Sequence, residues 1–313
     1  MNNSWAPIIL FVYNRPENTL KTLEALKNNN LAQESELYIY SDGPKKHEDL
    51  KKVEEVRNII NDIKGFKSVY IYCYEENQGL ANSVINGVTK VFKNYDKVIV
   101  LEDDLLTSKN FLTFINEALN FYKFDNDIWS ISGYTPNLSF PDSYQSNIYV
   151  SPRASSWGWG TWKDRWKLID WDIKDYHEFK NNGKSRRLFN YAGNDLSPML
   201  DDQIKGIIDS WAIRWCYNQF KLNKLTVYPR QSFVVNIGFD NDATHGSIGK
   251  SKYQVNLAEE YEGNLERVKL DPEIINNFRK KYNLSFYNYI GRALKKIGIY
   301  KLIKTIMKKI RLI

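Results

Sequence analysis

Cysteine is nearly missing from this sequence. Only Cys73 and Cys216 occur among 313 residues. A single distant pair excludes a disulfide framework and offers no metal-ligand spacing. Long apolar runs are missing too. The start, MNNSWAPIILFVYNRP, has no basic segment ahead of its apolar run, and that run ends at Arg15. It is too short for a signal-peptide core or a membrane span, so a cytoplasmic protein is expected. Acids are missing from one place. Residues 274–313 hold eleven Lys or Arg and no Asp or Glu. The other 33 bases face all 37 acids, so residues 1–273 carry −4 within a net charge of +7. A slightly acidic body with a basic tail argues against a nucleic-acid enzyme and for a soluble domain with a basic attachment segment. Internal repeats and low-complexity segments are also lacking.

What is present is ordinary for a globular protein: 42% hydrophobic and 26% charged residues. Aromatics reach 14%, with 21 Tyr and 9 Trp. Core packing is the commoner use of such an excess, and a site that stacks on sugar rings or bases is the sharper one; composition leaves both open.

Strand and helix patterns alternate. PIILFVY (7–13) is a strand closed by Asn14-Arg15-Pro16, and Leu20, Leu23 and Leu26 then follow helical spacing. ELYIYS (36–41) is a second strand, residues 47–65 a charged amphipathic helix, SVYIYCY (68–74) a third strand and residues 76–92 a helix. KVIVL (97–101) is the fourth strand, followed by a helix from about Ser108, its expected cap, to Lys123. After Gly133 the pattern is irregular, with SSWGWGTWKDRW (155–166), a helix expected over 200–223, two strands (KLTVYP and SFVVNIG) and the polar loop FDNDATHGS (239–247). Alternation of this kind predicts an α/β fold with a parallel sheet covered on both faces, whose ligands bind beyond the carboxyl ends of the strands. Arg15, Asp42, the Asn77-Gln78-Gly79 loop and Glu102-Asp103-Asp104 all fall at such ends.

In KVIVLEDDLL three carboxylates stand directly behind the fourth strand. Acids near a helix start can serve as caps. Three in a row on a sheet rim are better explained by a divalent cation, Mg²⁺ or Mn²⁺, which would also bridge a diphosphate.

The segment VIVLEDDLLTSKNFLTFINEAL resembles the Glu-Asp-Asp motif and following helix of N-acetylglucosaminyltransferase I-like enzymes, within the GT-A glycosyltransferase fold. IILFVYNRP is similar to that group's first strand, YIYSDGP to its second, and NQGLANSV to the loop and helix flanking the nucleotide. WGWG resembles its acceptor-side segment, IIDSWAIRW the helix carrying the general base (with DSW in place of a doubly acidic Asp-Asp-Trp), and DATHGS a loop over the diphosphate. The resemblance implies a nucleotide-sugar site of Arg15, Asp42, Gln78, Gly79, Asn82, Glu102 and Asp103, with Asp42 where the base is read. It implies Asp104 as direct metal ligand, with His245 a second candidate, and Asp209 as the general base. Trp157, Gly158 and Trp159 would lie on the acceptor side, where buried packing of the tryptophans is the plainer alternative.

In the tail, Ile299, Leu302, Ile303, Ile306, Ile310 and Ile313 share one helical face, and Lys301, Lys304, Lys308 and Arg311 the other. Such a helix suits an anionic membrane surface, with docking on the body or a partner as the alternative.

The expectation is a GT-A catalytic domain over 1–250, with a Rossmann-like, mostly parallel sheet flanked by helices. An extension over 251–285 and a basic amphipathic tail over 286–313 would follow. Its activity would be metal-dependent, inverting transfer of a sugar, N-acetylglucosamine as one candidate, from a UDP-linked donor to a lipid-linked saccharide acceptor. The setting would be bacterial surface-polysaccharide synthesis at the inner face of the cell membrane. A sugar-nucleotide nucleotidyltransferase is a rival, although the glycine-rich basic loop expected after its first strand is replaced by Asn14-Arg15-Pro16. A non-catalytic carbohydrate-binding protein is another.

Overall fold

Alternation along the strands decides how the layers form. In the computed structural model, which describes residues 5–238 and 255–284, strand β1 (Ile8–Val12) is buried on both faces. Ile8, Leu10 and Val12 join one apolar cluster, while Ile9 and Phe11 join another. Successive side chains point to opposite faces of a strand, so a fully apolar run needs cover on both. The first cluster is closed by α1 (Pro16–Lys27), through Leu23 and Leu26, and beyond β2 (Glu36–Ser41) by α2 (Leu50–Asn61), through Val56 and Ile60. After β3 (Ser68–Cys73), helix α3 (Leu80–Val91) closes the opposite face with Ala81, Val84 and Val88.

The chain continues through β4 (Lys97–Glu102), β5 (Leu105–Thr107), α4 (Phe111–Phe121), β6 (Ile128–Ser132), β7 (Ile148–Ser151) and β8 (Trp159–Trp162). Then come α5 (Lys163–Trp166), α6 (Tyr176–Asn181), α7 (Gly183–Phe189), α8 (Leu196–Ile204), α9 (Trp211–Lys221), β9 (Leu225–Pro229), β10 (Val234–Asn236) and α10 (Pro272–Tyr282). Eight strands form one sheet in the order β3-β2-β1-β4-β8-β6-β9-β7. Parallel pairing joins β3, β2, β1 and β4, and also β6 with β9; β8 runs antiparallel to both β4 and β6, and β7 to β9. The parallel expectation therefore holds for the first four strands, and the second half is mixed. A separate ribbon pairs β5 with β10, antiparallel.

Three local expectations are corrected. The helix after the carboxylates starts at Phe111, because β5 intervenes; Asn110 stands at its cap position, and Ser108 does not cap it. The helix expected over 200–223 is two helices. Gly206 adopts φ +68° just past α8, the left-handed conformation that commonly ends a helix. Ser210 then starts α9, its hydroxyl accepting from the Ile213 N–H at 3.3 Å. Finally, Trp159 is only 1% exposed. It packs against Trp211 at 5.1 Å, Trp215 at 5.3 Å and Trp166 at 6.0 Å between ring centroids. Its place is the core between β8 and α9, so it offers no face to an acceptor sugar.

Residues 255–284 lie against the body. Ala258 is buried in the first cluster, and Ile274 and Phe278 of α10 pack with Tyr149 and Tyr228. The tail over 286–313 lies outside the described residues. Among the described residues no helix is long and apolar enough to cross a membrane.

Trp159→Ala should lower folding stability by about 3–5 kcal/mol, the usual cost of emptying an aromatic site in a packed core. Urea denaturation without any sugar present measures this, and an unchanged midpoint would show that the indole is not core.

Candidate active site

β4 ends in the middle of the sheet, and the chain reverses at once into β5. Asp103 and Asp104 occupy that corner. Three separate segments hold it. The Thr22 hydroxyl donates to the Asp103 carbonyl at 3.0 Å, and the Ile237 N–H donates to the Asp104 carbonyl at 2.8 Å. The Tyr13 N–H, just past β1, donates to the Asp103 carboxylate at 3.0 Å. Arg15 follows two residues later and reaches Asp104 Oδ2 at 2.8 Å and Asp103 Oδ1 at 4.0 Å.

The three carboxylates perturb each other. Burial, then the neighbouring Asp104 charge, pushes Asp103 up to about 7. Burial and both aspartates push Glu102 well above the usual carboxylate range. Asp104 Oδ1 is buried and has no hydrogen-bond partner among the described residues. Among the described residues no three His, Cys, Asp or Glu side chains converge as a metal cage. Mg²⁺-type sites in phosphate-transferring enzymes, however, need only one or two carboxylates and take their other ligands from phosphate and water. The buried, partnerless oxygen of Asp104 fits that use, with repulsion among the acids favouring a cation.

The second wall of the site comes from β2. Asp42, at its carboxyl end, accepts four hydrogen bonds. The N–H groups of Gly43 and Gln78 donate to Oδ1 at 2.9 and 2.7 Å. The Gly79 N–H and the Asn77 amide donate to Oδ2 at 3.0 and 3.1 Å. The carboxylate thereby ties the 77–79 loop to the end of β2. Gly79, at φ +76°, opens α3. Between the two walls lies a cleft of about 410 Å³, into whose lining Phe11, Tyr13, Arg15, Lys45, Asn77 and the three acids contribute.

A model of glycosyl transferase family 2 matches residues 8–179. The chain belongs to glycosyl transferase family 2. Its fold is GT-A, and it is a nucleotide-sugar glycosyltransferase; the family is broader than the N-acetylglucosaminyltransferase I-like group whose motifs the sequence resembles. Structural likenesses are distant. A mannosyltransferase from Pyrobaculum calidifontis, solved with GDP-mannose and Mn²⁺, is 11% identical with a TM-score of 0.40, over 70% of this chain and 71% of that one. Galactosyltransferase LgtC, solved with donor and acceptor sugar analogues, is 11% identical with a TM-score of 0.36, over 68% and 70%. S. aureus TarS 1–349 is 11% identical with a TM-score of 0.36, over 73% and 59%. Comparison with curated proteins finds no match. The assignment rests on the family match and not on these likenesses.

In this family 2 enzyme the residues singled out from sequence are placed as follows. Arg15, Asp42, Gly79, Glu102, Asp103 and Asp104 meet around the cleft. Gln78 contributes its main chain to Asp42, while its side chain turns to the Glu76 carbonyl. Asn82 is exposed and donates to the Gln78 carbonyl, bracing the loop from outside. Asp209 stands off the helix, in the segment before Ser210. Its Oδ2 lies 3.6 Å from where a Cβ on Gly79 would sit, and its Oδ1 pairs with Arg214 at 3.5 Å. Trp157 is half-buried and meets Tyr134 edge-on at 4.5 Å. Gly158 adopts φ +58°, and a Cβ there would strike Val234 at 2.7 Å, so its role is close packing. His245 lies outside the described residues.

Sequence reasoning missed Tyr13, Lys45 and Arg214. Tyr13 and Lys45 could have been found as neighbours of Arg15 and Asp42 at the strand ends. Arg214 becomes relevant only once α9 is placed against β4.

The raised acids have a consequence for stability. A carboxylate whose pKa is higher folded than unfolded binds protons more tightly in the native state, so stability falls as pH rises through the interval. Without added cation, the melting temperature should include a contribution that declines from about pH 4 to about pH 7, the window set by Asp103. Saturating Mn²⁺ should raise the melting temperature more at pH 8 than at pH 5, as read by differential scanning fluorimetry.

Proposed function

We propose that this glycosyltransferase moves a sugar from a UDP-linked donor to a saccharide acceptor with inversion, using Mn²⁺ or Mg²⁺. The observation that carries the reading is the buried, unpartnered Asp104 oxygen in a cleft that also presents Arg15 and Lys45. A bound divalent cation would neutralise charge on the departing diphosphate as a Lewis acid. Arg15, Asp42, Gln78, Gly79, Asn82, Glu102 and Asp103 then hold or brace the donor. Asp104, with His245 as a further candidate, ligates the cation.

Asp209, beside Gly79 at the cleft, takes the proton of the acceptor hydroxyl as that oxygen bonds to the anomeric carbon. The bond from that carbon to the diphosphate breaks, and one displacement inverts the configuration. Acceptor binding is assigned to the side of Trp157 and Gly158. There a second cavity of about 230 Å³ runs between Tyr134, Trp157, Ser155 and the first turn of α9.

The motif resemblance favours N-acetylglucosamine as the transferred sugar. The basic amphipathic sequence of residues 286–313 favours a lipid-linked acceptor at the inner face of a bacterial membrane, in surface-polysaccharide synthesis. On this reading residues 1–250 are the catalytic domain, 251–285 its extension and 286–313 the attachment tail.

Two variants test the site. Asp104→Ala should abolish transfer and the metal response together; wild-type activity with unchanged metal dependence would remove the central assignment. Asp209→Asn should retain donor affinity and lower kcat by about 10²–10⁴-fold. A loss of donor affinity equal to the loss of rate would make Asp209 structural instead.

A further inference from the structure

The outer side of α7 does no packing for the fold. Lys184, Arg187, Leu188 and Tyr191 recur at the spacing of one helical face, and all four are exposed. Leu188 is 56% exposed and Tyr191 39%. The inward side of the same segment holds it in place. Phe189 joins the second apolar cluster, Ala192 lies with Ile274 and Phe278 of α10, and Arg186 pairs with Asp201 of α8 at 2.8 Å. One exposed leucine needs no explanation. Here two large apolar side chains stand one turn apart beside two cations.

Charge extends this surface. Residues 179–194 hold Lys180, Lys184, Arg186 and Arg187 and no acid. Glu178 precedes the stretch, and Asp195, which follows it, is held by Arg153 at 2.6 and 2.9 Å. α10 packs on the turn that carries Tyr191, and its last turn adds Arg279, Lys280 and Lys281. The described part of the chain ends at the same place. The Leu284 N–H donates to Asn194 Oδ1 at 2.6 Å, and the Asn194 N–H donates to Asn283 Oδ1 at 3.1 Å. Residues 285–313, with eight Lys or Arg and no acid, continue from this point. Tyr282, two residues before it, lines the cavity assigned to the acceptor.

Resting on the reading of residues 286–313 as a membrane attachment segment, we propose that the outward face of α7 and the last turn of α10 form a second lipid contact, on the catalytic body itself. Its partner is an anionic bilayer. Leu188 and Tyr191 enter the headgroup boundary while the lysines and arginines around them meet lipid phosphates. A tail alone would leave the body free to tumble. This contact holds the body by the side from which the tail departs and where Tyr282 lines the acceptor cavity, the side a lipid-linked acceptor has to reach.

The experiment is flotation of the full chain with phosphatidylcholine vesicles, with and without phosphatidylglycerol. Lys184→Gln and Arg187→Gln should each lower partition onto the anionic vesicles by about fivefold, the effect of one such charge near an anionic surface. Leu188→Gln should lower it by about tenfold. Lys21→Gln and Lys52→Gln remove the same charge from α1 and α2, on the opposite face of the sheet, and should leave partition unchanged. All five side chains are exposed, so melting temperatures should stay at the wild-type value, which separates a lost contact from a damaged fold. Ile303→Asp combined with Ile306→Asp tests the tail by itself. Face variants that partition like wild type while the tail variant is released would overturn the proposal and leave the tail reading intact. Face variants that are released while the tail variant still floats would uphold the face and strike the tail reading. Equal losses in face and control variants would overturn the proposal as a plain effect of net charge. Wild type that ignores anionic vesicles would end both readings. Concentration-dependent dimerisation abolished by Leu188→Gln, with partition unchanged, would assign the face to a second copy of the chain and overturn the lipid contact.

Discussion

The structure depends on keeping two adjacent aspartates buried at the end of a central strand. Like charges taken out of water repel strongly, and burial raises the cost further. Two groups offset that cost at the carboxylates, and two more hold the backbone that carries them. At the carboxylates the Tyr13 N–H past β1 and the Arg15 guanidinium approach, while Thr22 of α1 and the Ile237 N–H past β10 fix the main-chain carbonyls of the corner. Each partner is distant in sequence, so the corner forms only when β1, β4 and β10 are all in place. What is left over is one carboxylate oxygen, Asp104 Oδ1. An unbalanced anion there is unfavourable for folding alone, and that cost is the ground for the proposed cation.

The first four strands and three helices were legible because their signals are local. Uninterrupted β-branched and aromatic runs such as ELYIYS can only be interior strands, and Gly79 and Pro16 punctuate the helices that follow. The second half was less legible for a physical reason. β5, β7, β8 and β10 are three or four residues long, and antiparallel partners far along the chain supply what their own sequences do not specify. The site divides in the same way. Glu102-Asp103-Asp104 and Arg15 could be placed on one rim from strand ends alone. That Asp42 is saturated could not, since its partners beyond Gly43 come from residues 77–79 and include two main-chain N–H groups, which carry no sequence signal.

The aromatic excess resolves toward packing. Trp129, Trp159, Trp166, Trp171, Trp211 and Trp215 form one connected cluster behind the cleft. On the opposite face of the sheet Gly160 lets β8 approach α4 closely, since a Cβ would sit 2.9 Å from Ile115. A mass of indoles this size is a rigid footing for α9.

That footing explains why the break between α8 and α9 matters. A continuous helix would have held Asp209 in a regular turn, its direction set by helical geometry. Gly206 ends α8 and Ser210 restarts the chain as α9, so Asp209 falls in the short link between them. There its carboxylate lies against Gly79. Gly79 is in turn held by the Asp42 carboxylate. The 77–79 loop at the edge of the cleft and the acid proposed as the base are therefore neighbours. One side is set by β2 and the other by the tryptophan core, so a shift of either changes the spacing between Asp209 and Gly79.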